Sequence, residues 1–372
     1  MRFLFFLIFI FHLFGCNTNK KPQNETILNE LNFYFDTLEI VDLPKTYFQE
    51  TKRLFFQQRL SDFVYFFDIK NHALTVIDLE NLSIQKHFTI KRNTTSLEPP
   101  SSIIVDETND NLILSYDFNS IEFYNLNNGT FLRKITINEE DEQTNFAVCF
   151  NPEGFYPISK NGKFYFNLFP IVDEVAGSIY KNEAFYNANV ELALDTNKNT
   201  KIEINQSFPS NYKEKFMGLN NTPERFEIDN NFHAYCFPYN DSVYIFDIDK
   251  NKLVSKHFFG SKRDKEIRYL DFKSLDTVHT NTINKLHLTN PYYYFSGISF
   301  KNNYYYRTLF INKNQKEGDF QSIFIIYDKD LNYIGESKAE FNVFTLFDSS
   351  YGLISLIATD DNKLIFRKLN WK

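Results

Sequence analysis

RLFFQQRLSDFVYFFDIKNHALTVIDLENLSIQKHFTI, residues 53–90, is the stretch that decides the fold. It contains four runs rich in β-branched and aromatic residues, at 53–58, 63–69, 73–79 and 83–90. Each pair of runs is separated by short turn-forming segments of Ser, Asp, Asn or Lys, which is the signature of consecutive antiparallel strands. The stretch therefore predicts one four-stranded meander, and residues 102–137 repeat the scheme.

Near the end of the third run of this meander, at the turn into the fourth run, stands an acidic residue, Asp78, and an acidic or amide residue recurs at this corner along the chain. The corner residues are Asp78, Asn125, Asp195, Asp247, Asp328 and, in weaker form, Asn370. Recurrence of one β unit every 40 to 50 residues is typical of a radially repeated fold, in which each sheet is buried against its neighbours. Two of the steps are longer, and we expect the excess in residues 170–189 and 260–282, since surface insertions cost little stability.

The predicted fold class is all-β, a six-bladed β-propeller of four-stranded antiparallel blades. Residues after Ser337 have room for three strands, at 341–347, 351–357 and 363–369. The segment 32–43 is apolar enough to supply the missing outer strand, which would otherwise leave an exposed sheet edge. An N-terminal strand is thus expected to complete the last blade, with residues 31–372 as a single domain.

Two other arrangements stay open at this point. Seven blades are an alternative because residues 283–312 can be divided into strands in more than one way. A stack of two β-sandwiches would require a boundary near the middle of the chain, where we find no Pro/Gly/Ser-rich break. A helical fold is not favoured, because no stretch of 12 or more residues keeps a 3.6-residue apolar period free of β-branched and aromatic runs.

The N-terminus has the features of an export signal. Arg2 precedes an apolar run over residues 3–14, which is long enough for a signal-peptide core and too short to span a bilayer. Residues 13–16, Leu-Phe-Gly-Cys, resemble the bacterial lipobox. That resemblance implies a signal peptide at 1–15, lipidation of Cys16 and a lipidated tether at 16–30. The alternative is an ordinary secreted protein with an incidental cysteine.

Composition excludes some functions. A net charge of -7 and a pI of about 5.6, with Lys and Arg scattered among carboxylates, argue against nucleic acid as a partner. Cys149 and Cys236 are too few for a disulfide framework; buried thiols are the simpler interpretation, and pairing stays open. No CxxC motif or nearby Cys/His array is present, so we expect neither redox nor zinc chemistry, and no cofactor.

The lipobox, the short tether and the six meanders together resemble the TolB-like six-bladed propeller lipoproteins of Bacteroidota, many of which are domains of unknown function. Residues 221–226 look like a degenerate copy of the Gly-Pro-Gly-Glu-aromatic segment common in that group, and residues 96–100 are a fainter echo. The resemblance implies an envelope-anchored binding or assembly protein. Because residues 17–21 contain no acidic residue, we expect an outer-membrane anchor facing the periplasm.

Motifs for chemistry are sparse. Residues 247–251 begin like a calcium loop, but Lys252 and Phe258 stand where Gly and the bidentate Glu belong. No histidine pair has HxxH or HExxH spacing, and nucleophile-elbow and Walker motifs are absent. The charged runs 139–142 and 262–266 are interpreted as solvated loops between blades. Tyrosines at 292–294 and 304–306 could stack on a sugar, although alternating burial explains them equally well.

A ligand site, if one exists, is expected at the central funnel, where connections between blades lead into inner strands. The candidates that precede predicted inner strands on this face are Arg92, Glu224, Arg225 and Arg268. No metal ligands or catalytic residues are predicted.

The favoured function is a monomeric, non-enzymatic propeller that binds an unidentified protein or glycan at the envelope. The alternative is a six-bladed hydrolase, such as a calcium-dependent lactonase or a glycan-cleaving enzyme. It would require several Asp, Glu or Asn side chains converging on the channel from different blades.

Overall fold

The computed structural model describes residues 30–42, 54–58, 62–68, 71–91, 100, 102–116, 120–136, 146–148, 158–160, 162–170, 181–195, 200–219, 223–229, 231–263, 265–278, 280–299, 302–312, 320–339, 346–358 and 363–372.

Six antiparallel sheets follow one another along these residues, and each is a meander. Blade one is β2 (Leu54–Gln58), β3 (Phe63–Asp68), β4 (Ala73–Asp78) and β5 (Ser83–Thr89), and blade two is β6 (Ser102–Asp106), β7 (Asn111–Tyr116), β8 (Ser120–Asn125) and β9 (Phe131–Thr136). Blade three is β10 (Phe146–Val148), β12 (Lys163–Pro170), β13 (Asn189–Asp195) and β14 (Thr200–Ser207), with the short β11 (Ile158–Lys160) also paired to β12.

Blade four is β16 (Glu224–Glu227), β17 (Phe232–Cys236), β18 (Ser242–Asp247) and β19 (Lys252–Phe258), and blade five is β21 (Tyr292–Ser299), β22 (Tyr304–Asn312), β23 (Phe320–Asp328) and β24 (Tyr333–Ala339). Blade six is β25 (Phe347–Ser349), β26 (Gly352–Ala358), β27 (Lys363–Trp371) and β1 (Phe33–Asp42). A two-stranded ladder of β15 (Lys215–Phe216) and β20 (Leu270–Asp271) lies outside the blades. The six-bladed propeller is therefore confirmed.

The core lies between blades rather than within them. In β3, Val64 and Phe66 pack toward blade six, whereas Tyr65 and Phe67 pack toward blade two. Both faces of the strand are buried, which explains why the sequence reads as a continuous apolar run and not as a polar/apolar alternation. Each interface has its own apolar cluster. Pairs that represent the six clusters are Phe67–Val105, Phe123–Phe166, Tyr165–Tyr235, Cys236–Ile325, Phe324–Leu369 and Phe366–Val64.

The N-terminal strand closes the ring as predicted. β1 pairs antiparallel with β27, from Phe33 opposite Trp371 to Asp42 opposite Lys363, with one bulge between Thr37 and Glu39. Blade six thus takes three strands from the C-terminal part of the chain and its outer strand from the N-terminal part. This register joins two segments more than 300 residues apart, so the ring cannot open without breaking a full ladder of backbone hydrogen bonds.

The recurring corner residue has a local structural role. The Asp78 carboxylate accepts hydrogen bonds from the backbone N–H groups of Glu80 (2.8 Å) and Asn81 (2.9 Å) in the hairpin between β4 and β5. Equivalent side-chain acceptors at Asn125, Asp247 and Asp328 bind the N–H of Asn127, Lys250 and Asp330, respectively. Short acidic and amide side chains favour such turns because they satisfy backbone donors that have no strand partner. The amide of Asn370 has a different partner and donates to Asp36 on β1 (2.9 Å).

Among the residues that the structure describes, three short α-helices accompany the strands of this all-β fold. Helix α1 (Glu183–Asn187) lies between β12 and β13, α2 (Ser210–Lys213) follows β14, and α3 (Thr280–Thr289) precedes β21. The α3 segment buries Ile283 and Leu286, one helical turn apart, but it is shorter than the 12-residue window used to search for helices. The two predicted insertions are found, although the second runs from β19 to β21 and includes α3. Of the described helices, none is long and apolar enough to span a membrane.

Candidate functional site: the cap and its base

Three excursions from the blades gather on one face of the propeller. They comprise the described parts of residues 181–188, 208–219 and 265–290, which we call the cap. The first joins the second and third main strands of blade three, and the others join the outer strand of one blade to the inner strand of the next. In an antiparallel meander these connections emerge on the same face, the one at which inner strands begin. The cap therefore occupies the face on which sequence reasoning placed the ligand site.

The cap has a small apolar core of its own. Phe216, from the second excursion, packs with Leu275, Ile283 and Leu286 from the third, and all four side chains are buried. The β15–β20 ladder pairs the same two excursions through Lys215 opposite Asp271 and Phe216 opposite Leu270. Two connections that are more than 50 residues apart are thus folded together as one unit.

Asn290 ties these excursions at their base. Its side chain is buried, its amide N–H groups donate to the carbonyl oxygens of Met217 (2.6 Å) and Arg268 (2.7 Å), and its Oδ1 accepts from the Arg268 N–H (3.0 Å). His287 adds a second tie, since its Nδ1 accepts from the Leu219 N–H at 3.3 Å. Burial lowers the pKa of His287, which keeps the ring neutral and able to accept.

Aromatic side chains fasten the cap to blades three and four. Tyr186 and Tyr212 of the cap and Phe208 lie with their ring centroids 5.2–5.8 Å apart. The Tyr212 hydroxyl accepts from the backbone N–H of Tyr239 at 2.6 Å, and Phe237 lies 5.2 Å from Phe208. Burial raises the pKa of Tyr212 well above 10, so this phenol stays neutral. Such ring pairs add to the free energy of burial, and we conclude that the cap is packed firmly on the ring.

Beneath the cap lies a cluster of three ionisable groups, Asp241, Lys265 and Tyr293. The Lys265 ammonium contacts the Asp241 carboxylate and the Tyr293 hydroxyl, and that hydroxyl also donates to Asp241. The side chain of Lys265 is 7% exposed, whereas that of Asp241 is 38% exposed. Burial lowers the pKa of Lys265, and the charge of Asp241 opposes this shift. Burial raises the pKa of Tyr293 well above 10, with the charge of Asp241 acting in the same direction.

Arg307 lies next to this cluster and joins blade five to blade four. Its guanidinium donates to the carbonyl oxygens of Phe237, Asn240 and Phe259, each at 2.9 Å, and lies 3.8 Å from the centroid of the Tyr293 ring. The side chain is fully buried. A planar guanidinium can serve several carbonyls at fixed angles, so Arg307 acts as a clamp between the blades.

A second buried network joins blades three and four. Glu191 on β13 forms an ion pair with Arg225, whose Nε lies 3.0 Å from the carboxylate, and it accepts hydrogen bonds from His233 Nδ1 (3.0 Å) and from the Tyr235 hydroxyl. Burial alone would raise the pKa of Glu191, but the charges of His233 and Arg225 lower it below 4.5. Burial, reinforced by the Glu191 charge, raises the pKa of the neighbouring Tyr165 to about 12. The network holds charges in the interface and presents none of them to solvent.

The site residues that were predicted from the sequence lie in different environments or outside the described residues. Cys16 and Arg92 lie outside the described residues. Glu224 and Arg225 begin the inner strand β16, as expected, but both are buried, and the guanidinium of Arg225 is held by Glu191. Arg268 does not directly precede an inner strand, because the rest of the cap, including α3, separates it from β21. Its side chain is 47% exposed and lies 3.6 Å from Glu266. Of the described candidates, Glu224 and Arg225 are therefore buried at the start of β16, and Arg268 is exposed on the cap.

The remaining sequence hypotheses can also be placed. The acidic run 139–142 lies outside the described residues, as does Cys149, while Cys236 is buried in the cluster between blades four and five. The interpretation of 262–266 as a solvated loop is wrong for Arg263 and Lys265, whose side chains are 20% and 7% exposed. Tyr293, Tyr304 and Tyr305 are buried. Tyr304 and Tyr305 are adjacent and pack on opposite faces of the blade, so the strand is buried on both faces rather than alternately.

Sequence reasoning missed Asp241, Lys265 and Arg307. Lys265 belongs to a run of mixed charges that resembles a solvated loop. Arg307 follows three tyrosines, and this sequence context does not indicate which group the arginine would bind. An arginine within an otherwise apolar strand is nevertheless a signal, because a buried guanidinium requires acceptors from another element. Its partners are backbone carbonyls, which no sequence pattern identifies.

Within the described ranges, no group of three or more His, Cys, Asp or Glu side chains could hold a metal ion. In the stretch that resembles a calcium loop, the Asp247 carboxylate is bound by the N–H (2.9 Å) and the ammonium (2.7 Å) of Lys250. This stretch is the hairpin corner between β18 and β19, as predicted.

Comparison with known proteins identifies relatives by fold. A crystal structure of a DUF4221 family member from Bacteroides vulgatus matches with a TM-score of 0.66 and 16% identity over 93% of this chain and 99% of that one. A protein described as exported, from Bacteroides fragilis, matches with a TM-score of 0.53 and 11% identity over 92% and 95% of the two chains. A comparison with curated protein sequences finds no match. The family profile "Domain of unknown function (DUF4221)" covers residues 25–338, and the chain therefore belongs to this family.

Proposed function

We propose that this protein is a lipid-anchored envelope protein that acts as a non-enzymatic binding or assembly module, with the cap face as its contact surface. Its partner is a protein or glycan of the envelope. The anchor is a lipid on Cys16 in the outer membrane, with the domain facing the periplasm.

The cap carries this proposal. The six blades close through the β1–β27 ladder without any contribution from the cap. Yet the second and third excursions fold against each other with a separate apolar core and a buried asparagine hub. Connections held rigidly on one face of a scaffold are where proteins usually place recognition. The exposed side of the cap includes Tyr269, which is 54% exposed and has the Lys215 ammonium 4.0 Å above its ring.

Site-specific photo-crosslinking in intact cells tests the choice of face. A photoreactive residue is placed at Tyr269 or Lys285 on the cap, and the matched control is at Asn81, an exposed corner on the opposite face. We expect discrete adducts from the two cap positions and none from Asn81, and mass spectrometry then distinguishes a protein adduct from a glycan adduct. Equal adducts from both faces, or adducts from Asn81 alone, would contradict the proposal.

The anchor is tested separately. Replacing Cys16 with Ala removes the thiol that would be lipidated, so the protein should move from the membrane fraction to the soluble fraction. A matched Cys236→Ala variant should stay with the membrane. Unchanged membrane retention of Cys16→Ala would refute the anchor. Resistance to protease added to whole cells, lost when the outer membrane is permeabilised, would support the periplasmic orientation.

A further inference from the structure

The outer edge of blade four differs from the other blade edges. Among the described residues, eight large apolar side chains are exposed, and three of them, Leu253 (49%), Val254 (51%) and Phe258 (45%), lie on the seven-residue strand β19. Within the described part of the chain β19 pairs with β18 alone. Isolated exposed apolar residues are ordinary, but a concentration on one strand indicates a contact surface.

The same edge is basic. Lys252, Lys256 and His257 are exposed on β19, and the strand contains no acidic residue. The Lys262 ammonium lies 4.8 Å from the centroid of the Phe258 ring, which places a further positive charge beside the apolar patch. β1, the outer strand of blade six, carries Asp36, Glu39 and Asp42. The outer strands β5 and β9 also lack acidic residues, but β5 has no large exposed apolar side chain and β9 has one, Leu132, against three on β19. In a chain of net charge -7, a basic and apolar edge is a local feature that the overall composition does not explain.

This edge lies next to the point where the N-terminal segment reaches the propeller. Glu30 forms a parallel bridge with Glu336 on β24, and the Leu31 N–H donates to the Glu336 carbonyl at 3.1 Å. Arg263, one residue after Lys262, donates from Nη2 to the Glu30 carboxylate (3.1 Å) and forms an ion pair with Glu336, whose carboxylate lies 3.1 Å from its Nε. The start of the described chain and the β19 edge are therefore joined through residues 258–263.

Chain length limits how far this edge can lie from the membrane. Thirteen residues, 17–29, separate Cys16 from Glu30, and a chain of that length spans at most about 50 Å when fully extended.

We propose that the β19 edge, consisting of Leu253, Val254 and Phe258 with Lys252, Lys256 and Lys262, rests on the anionic surface of the membrane that holds the anchor. The inference depends on the proposed lipid anchor. Apolar side chains enter the boundary between headgroups and acyl chains, while lysines reach anionic headgroups over their flexible stems. Blade four then faces the bilayer, and the propeller stands on its rim.

An acidic protein segment added to the open β19 edge is the competing occupant. The membrane is favoured because the short tether already places this edge near lipid. Two adjacent residues, Leu253 and Val254, are both about half exposed, whereas an added strand would use backbone groups and alternate side chains.

Quenching of tryptophan fluorescence by brominated lipid distinguishes a membrane from a protein segment at the β19 edge. The mature, lipidated full-length chain is reconstituted in vesicles of phosphatidylglycerol and phosphatidylcholine, with or without brominated acyl chains. Phe258→Trp reports on the β19 edge, and Leu132→Trp on β9 of blade two is the control because Leu132 is similarly exposed (48%). The signal of Trp371 is measured in the parent protein and subtracted. We expect the Phe258→Trp fluorescence to be blue-shifted and largely quenched by brominated lipid, and that of Leu132→Trp to be unaffected.

Charge reversal tests the role of the lysines. In the Phe258→Trp background, Lys252→Glu with Lys256→Glu should abolish quenching, whereas Lys273→Glu with Lys285→Glu on the cap makes the same change in net charge and should leave it intact. The proposal is overturned if Phe258→Trp is quenched no more than Leu132→Trp in protein that sediments with the vesicles, because the anchor then holds while the rim stays in water. Failure to sediment at all would instead refute the anchor. If an acidic envelope protein changes the Phe258→Trp fluorescence and brominated lipid does not quench it, the membrane proposal is refuted and a protein occupies this edge.

Discussion

Replacing Arg307 with Met should loosen the interface between blades four and five. Arg307 is fully buried, and its three carbonyl partners come from two separate segments of blade four. Met preserves most of the side-chain volume but has no donor, so the change isolates the loss of hydrogen bonding from the creation of a cavity.

The magnitude follows from what the carbonyls lose. The Phe237 carbonyl also accepts from the Asn240 N–H at 3.1 Å and keeps that bond. The carbonyls of Asn240 and Phe259 lose the bond from Arg307, and an unsatisfied buried polar group costs about 1–3 kcal/mol. Loss of the cation–π contact with the Tyr293 ring adds about 2 kcal/mol to the destabilisation. Removing the buried charge of Arg307 offsets part of it, because the desolvation cost of that charge is also removed. We expect a net loss of about 3 kcal/mol in the free energy of unfolding.

Urea unfolding, followed by circular dichroism and by Trp371 fluorescence, measures this difference. The slope of the unfolding free energy against urea should be unchanged while the midpoint falls. The matched control is Arg133→Met on β9, where an arginine also lies over an aromatic ring, that of Phe123, at 4.2 Å, but on the outer strand of blade two. That change should cost less than about 0.5 kcal/mol. A loss below about 1 kcal/mol for Arg307→Met would refute the clamp.

Three further outcomes are expected. Because the folded pKa of Glu191 lies below its unfolded value, the stability that this carboxylate contributes is complete above about pH 4.5 and is lost as the pH falls through the folded pKa. Glu191→Gln should therefore flatten the acid limb of unfolding free energy against pH, and an unchanged limb would contradict the assignment. The pKa of His287 is also lowered, so the bond from Leu219 should be present above the unfolded pKa of about 6.5 and lost as the pH falls further. The expected sign is a fall in the protection factors of the amides of 215–219 as the pH is lowered from 7.5 to 5, after correction for the intrinsic pH dependence of exchange, and the absence of this fall in His287→Gln. Finally, a Cβ at Gly260 would lie 2.5 Å from the Asp241 carboxylate and 2.7 Å from the Tyr293 hydroxyl; Gly260→Ala should cost about 1–3 kcal/mol, and an unchanged melting temperature would count against the packing at the base of the cap.

Much of the propeller could be predicted because its signals are local. The strands of blade one were placed within one residue at each end, since turn residues and β-type runs alternate at short range. The closing strand was predicted by a count, because three C-terminal strands and one unassigned N-terminal segment left a single economical pairing. Its register and bulge required the structure.

The cap could not be predicted in the same way. Its helices are short, and α3 buries only a narrow face, so local periodicity was too weak to identify it. Its hub, Asn290, is one of many asparagines in an Asn-rich chain and differs from them through carbonyl partners at Met217 and Arg268. Arg225 was predicted to bind a ligand because it begins an inner strand, and the structure places its charge against Glu191 of the preceding blade.

The amino-acid sequence alone specifies the meander, the number of blades and the acidic turn residues, because the alternation of strands with turns depends on a few neighbouring residues and repeats along the chain. Side-chain partners between blades, and the joining of distant connections into a cap, depended on the ring, since neighbouring blades bring together residues that no short-range pattern relates. Burial decides what a charged residue does. Glutamate, lysine and arginine side chains are usually exposed in solvated loops, but Glu191, Lys265 and Arg307 belong to buried networks between the blades.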